Sequence, residues 1–116
     1  MARARELLVS AATGFTVFAI GRILNGDNIG LWGNTATNVP EAYNTANFGD
    51  YAIPMPELGV SGFYEATMPS VFNAERAVEI IYYSQAGADP AESDTKLSGS
   101  LYELQDDWVA TEALAV

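Results

Sequence analysis

The chain contains neither cysteine nor histidine, and lysine and arginine together number only 5 among its 116 residues. Each shortage excludes a class of chemistry. Without Cys there is no disulfide framework and no thiolate nucleophile; without His there is no imidazole base, and without both there is no zinc site of the usual ligand type. Catalysis would have to rest on carboxylates, of which Asp and Glu supply 15. Spacing alone singles out no pair of them for glycoside hydrolysis or other acid–base work, so no catalytic residue is assigned and no enzyme activity, cofactor or small-molecule substrate is expected. The scarcity of cations is equally informative. Nucleic acid and anionic lipid are held largely by Lys and Arg on phosphate, and a net charge of −10 makes neither an expected partner. Long apolar runs are also missing. Leu7 to Ile20 follows Arg3 and Arg5 in the manner of a signal peptide, but Glu6 interrupts the basic region and Ser10, Thr13, Gly14 and Thr16 dilute the apolar stretch. It is shorter than the ~20 residues a helix needs to cross a bilayer.

What is present is a chain that is 49% hydrophobic and 17% charged, sufficient for one domain over 1–116 with a single core. Its patterning has period two. Phe15, Val17, Ala19, Gly21 and Ile23 alternate with Thr16, Phe18, Ile20, Arg22 and Leu24, predicting a strand over Phe15 to Leu24 that is apolar on both faces as far as Ile20. Asn25-Gly26-Asp27-Asn28 then signals a tight turn with positive φ, and Ile29 to Trp32 completes a predicted hairpin. Leu7 to Ser10 predicts a shorter first strand within an N-terminal arm spanning 1–13. Asn34 to Pro40 reads as a loop, and Pro40 to Asp50 has room for one helical turn with Pro40 near its start. Tyr51 to Met55 reads as a short extended piece, restricted to an edge or a strand end by Pro54 and Pro56. Phe63 to Thr67, stopped by Pro69, Val78 to Tyr83, and Thr95 to Leu104 are the clearest remaining strands. Gln105 to Leu114, inside a C-terminal arm over 105–116, suits either a short helix or an extended segment. Frequent turns and little helix predict an all-β, antiparallel, immunoglobulin-like β-sandwich.

Candidate sites are few. Asp89, Glu92 and Asp94, or Asp27 with Asn28, could offer oxygens to calcium, but neither group has the ligand spacing of a calcium loop, and turns favour Asp and Asn for their own backbone hydrogen bonds. No metal site is assigned. The aromatic side chains Tyr43, Phe48, Tyr51, Phe63, Tyr64, Tyr82, Tyr83, Tyr102 and Trp108 could include a platform for sugars. Period two, however, turns one member of Phe63/Tyr64 and of Tyr82/Tyr83 into the core and the other outward, and outward rings on an acidic sandwich point first to protein contact. The chain ends point the same way. Arg3 and Arg5 put basic charge beside Leu7 in an otherwise acidic chain, while Leu104, Trp108, Val109 and Leu114 form an apolar set beside Asp106 and Asp107. These seven residues are the candidate partner contacts.

Several segments together resemble a family of small immunoglobulin-like domains encoded among the structural genes of tailed bacteriophages. The matching residues are Gly14-Phe15-Thr16-Val17-Phe18-Ala19, the turn before Trp32, and Glu41-Ala42-Tyr43-Asn44-Thr45-Ala46-Asn47-Phe48 leading to Tyr51-Ala52-Ile53. Gly62-Phe63-Tyr64 with Pro69 follows, and then Gln85-Ala86-Gly87-Ala88-Asp89-Pro90-Ala91-Glu92-Ser93-Asp94. Asn73-Ala74-Glu75-Arg76 departs from the pattern, in which a glycine precedes the next strand, and the chain beyond Leu104 lies outside it. The resemblance implies a virion component without catalytic residues, its partners being phage capsid or tail proteins or further copies of itself. A capsid decoration or cement role is the leading expectation. A neck, tail or baseplate accessory, or a host-surface carbohydrate-binding module, is the alternative.

Overall fold

The computed structural model describes residues 6–104 and 108–114. Nine strands run antiparallel: β1 (Glu6–Ser10), β2 (Val17–Asn25), β3 (Trp32–Asn34), β4 (Val39–Glu41), β5 (Ile53–Met55), β6 (Phe63–Thr67), β7 (Ala77–Ser84), β8 (Thr95–Leu104) and β9 (Trp108–Leu114). They form a 2-stranded sheet, β1-β6, and a 7-stranded sheet in the order β4-β3-β2-β7-β8-β9, with β5 also paired to β2. The chain is therefore an all-β sandwich. A 3-10 turn (Thr45–Asn47) runs into one short helix, α1 (Phe48–Tyr51), and a second 3-10 turn covers Ser70–Phe72.

Register explains what is buried. Leu7↔Ala66 and Val9↔Tyr64 are partners in the small sheet, and Leu7, Val9 and Tyr64 join Val17, Ala19, Ile23, Val78, Ile80 and Tyr82 in the core between the sheets. The intervening residues face out, leaving Leu8 and Phe63 about half exposed at 53% and 47%. Glu57 bridges to Tyr64 and so ties the chain after β5 to the small sheet. The Tyr64 hydroxyl adds a second tie, donating to the Ala12 carbonyl at 2.6 Å and accepting from the Phe15 N–H at 3.0 Å. Phe15 thus spends its N–H on a side chain, and β2 starts at Val17 rather than at Phe15.

The other face of the large sheet is also covered. Phe18, Ile20, Ile81 and Tyr83 form a second apolar cluster with Phe48 and Tyr51 from the helical segment. This is why β2 is apolar on both faces, and it corrects one expectation: Tyr82 and Tyr83 are both buried, because α1 roofs the outward side. The helical turn itself begins later than expected. Pro40 lies inside β4, and the turn is capped by Asn44, whose side-chain oxygen accepts from the Ala46 N–H at 3.0 Å. The hairpin loop is likewise longer than a tight turn. Gly26 does adopt positive φ, +104°, but Ile29 to Leu31 remain in the loop, and β3 begins at Trp32, opposite Arg22.

Phe72 packs against β2 and β3 within the core between the sheets. Its ring, fully buried, lies directly over Gly21 and Gly33, where a β-carbon would come within 2.9 Å of Phe72 Cε2 and 2.6 Å of Phe72 Cε1 respectively. Both glycines are there for want of space.

Candidate interaction surfaces

The residues expected to contact a partner separate in the structure. Arg3 and Arg5 lie outside the described residues. Leu7 is withdrawn from the surface altogether: it is fully buried in the core between the sheets, because β1 pairs with β6 and turns Leu7 and Val9 inward. Its neighbour Leu8 takes the exposed position. Leu104 ends β8, and Trp108, Val109 and Leu114 all fall in β9, so the C-terminal segment is extended rather than helical. Leu104↔Trp108, Glu103↔Val109 and Gly99↔Leu114 are register partners. The two ends enter different sheets: β1 belongs to the small one and β9 to the margin of the large one.

The acidic turns serve the fold. Both carboxylate oxygens of Asp94 accept backbone N–H groups, from Ala86 at 3.1 Å and Ala91 at 2.9 Å, fixing the β7–β8 connection. The Asn28 amide donates to the buried Glu75 carboxylate at 2.9 Å, holding the β2–β3 loop to the segment after Phe72. Among the described residues no three acidic, His or Cys side chains converge as metal ligands would, and no helix is long and apolar enough to cross a membrane.

A further surface involves aromatic residues. Trp32 on β3 sits against Tyr43, ring centroids 5.1 Å apart and planes tilted by 59°, and both approach Tyr51. Arg22 lies over Trp32 at 5.9 Å and pairs with Glu79 at 2.8 Å. Tyr51 donates to Glu41, which also accepts from Asn34 and Asn47. The Glu41 carboxyl is held below its ordinary range, chiefly by the Asn47 amide and then by Tyr51. Tyr43 donates to Glu92 from across the surface; burial and then that carboxylate push its phenol well above its ordinary value. Tyr43, Phe48, Tyr51 and Tyr83 were identifiable from the sequence as aromatic candidates. Trp32 was legible there only as the end of a strand, since its place beside Tyr43 depends on how the segment after β4 folds back.

No family model, curated protein or solved structure matches the chain.

Proposed function

We propose that this chain is a bacteriophage virion structural protein, a capsid decoration or cement domain acting through protein–protein contact at the β9 edge. The observation that carries the reading is the contrast among the edges of the large sheet. β4 and β5 are 3 residues each and contain Pro40 and Pro54, and short, proline-bearing edges resist addition of another strand. β9 has 7 residues, Trp-Val-Ala-Thr-Glu-Ala-Leu, with neither proline nor lysine. Among the described residues it is paired on one side only, to β8. A proline-free edge of that length supports strand addition by a neighbouring chain. Domains of net charge −10 repel one another, which favours a coat or tail protein over a second copy as the neighbour. The virion assignment rests on the resemblance to phage structural domains, and a tail or neck position would use the same edge.

The test is incorporation into particles by variants that remain folded. Deleting 105–116 would strip β9 from the sheet, so point changes are cleaner. Trp108→Ala and Thr111→Lys should retain the strand-rich circular dichroism of the parent yet reduce occupancy on purified particles by about tenfold or more, the loss of ~1.4 kcal/mol per site. Normal occupancy of both variants would overturn the assignment of the contact to β9.

A further inference from the structure

The outer face of the large sheet carries a feature that the β9 edge does not use. A cleft of about 320 Å³ opens where the segment after β4 crosses β2 and β7. Its floor is Ile20, Phe48, Ile81 and Tyr83, all buried. The floor is interlocked. Phe18 stacks on Tyr83 with planes 3° apart, and Phe48 meets these two rings edge-on at 86° and 83°. Trp32 and the 40% exposed Tyr43 form the walls, and Glu92 and Lys96 supply the polar rim. The Thr45 hydroxyl also reaches Glu92, at 3.4 Å.

We infer that this cleft binds one pyranose ring of a neutral glycan. A pyranose presents a face of C–H groups that carry partial positive charge, and these are attracted to the negative face of an aromatic ring. Its hydroxyls radiate outward and need donors and acceptors together. Trp32 and Tyr43 offer the first kind of contact over a floor already packed in place, so little ordering cost falls on binding. Glu92 accepts, Lys96 donates, and the Tyr43 hydroxyl can exchange its present partner for a sugar hydroxyl. Charge disfavours an anion, which would meet Glu92 and the net charge of −10, while Glu92 and Lys96 together at the rim suit a ligand whose groups both donate and accept, as sugar hydroxyls do. A side chain from a protein partner could also occupy the floor, but it would leave the two rim charges, Glu92 and Lys96, without a role. None of the lining residues belongs to β9, so the cleft and the edge can fail or succeed separately.

The experiment is an amide and indole NMR titration of the full chain with methyl glycosides of glucose, galactose, mannose and N-acetylglucosamine, run beside N-acetyltryptophanamide as a protein-like probe. At least one glycoside should give saturable shifts centred on Trp32, Tyr43 and Lys96, with a Kd of about 1–10 mM. Tyr43→Ala should weaken that binding by about tenfold or more while keeping the strand-rich circular dichroism of the parent. Lys96→Ala, at an exposed strand position, serves as a second variant should Tyr43→Ala unfold, with the same expected loss. Three results would each overturn the inference: no saturable shift with any glycoside to about 50 mM, shifts located elsewhere, or binding of N-acetyltryptophanamide alone, which would make the cleft a protein-docking pocket.

Discussion

Replacing Gly33 with alanine places one methyl group against a ring that has nowhere to go. The added carbon would lie 2.6 Å from Phe72 Cε1, well inside van der Waals contact, and Phe72 is fully buried between the sheets. A flexible surface side chain would swing aside. Phe72 instead abuts Gly21 on the neighbouring strand as well, while Gly33 is pinned by pairing with Pro40 on β4. Overpacking of this kind costs typically 1–3 kcal/mol, and the lack of slack puts Gly33→Ala near the upper end, about 3 kcal/mol. For a domain of this size that is a fall in Tm of about 12 °C. Gly49→Ala is the control, since nothing lies within 4 Å of its new carbon, and alanine in a helical turn should be neutral or stabilising by up to about 1 kcal/mol. The double variant Gly33→Ala with Phe72→Leu should be less destabilised than the two single costs added together, by about 1 kcal/mol or more, as measured by urea unfolding. Wild-type stability in Gly33→Ala, or strict additivity in the double variant, would refute the packing argument.

Other perturbations follow from the same structure. Tyr64→Phe removes the hydroxyl that ties Ala12 and Phe15 to the small sheet and should cost about 1–3 kcal/mol in urea unfolding; an unchanged midpoint would show that this tie is idle. Stability should be flat near neutral pH and fall on both sides. The Gly14 N–H, first among its partners, holds Glu57 below its ordinary 4.5, and the Asn47 amide does the same for Glu41. Both contributions are present above that ordinary value and are lost as pH falls through the lower folded values. Burial raises Tyr43, Tyr51, Tyr82, Tyr83 and Tyr102 above their ordinary 10.0. Their contribution is complete below 10.0 and is lost as pH rises through the higher folded values, so a Tm that held constant to about pH 12 would contradict these assignments.

The parts of the fold legible in sequence are those set by local alternation and punctuation. Phe63–Thr67 and Thr95–Leu104 have the expected bounds because alternation is clean in both and Pro69 stops the first. Leu7–Ser10 was visible for the same reason, although β1 starts one residue earlier, at Glu6. What needed three dimensions was less accessible. The burial of Tyr83 depends on α1 folding back over the sheet, and the Gly21–Gly33–Phe72 contact depends on the β2–β3 register. Leu7 as a contact residue failed because alternation says that Leu7 and Leu8 face opposite ways but not which of them faces the core. The aromatic cleft was half legible. Tyr43, Phe48 and Tyr83 stood out as aromatic residues, but Trp32 and Lys96 come from strands whose proximity to Tyr43 no local pattern encodes.

The proposed virion role is tested most directly by cryo-electron microscopy of particles purified from cells that express this chain. Sandwich density is expected at repeated positions on the shell, with β9 lying against, and extending, a strand of a neighbouring coat protein. Particles that lack such density, or that hold the domain through its small sheet with β9 exposed to solvent, would contradict it.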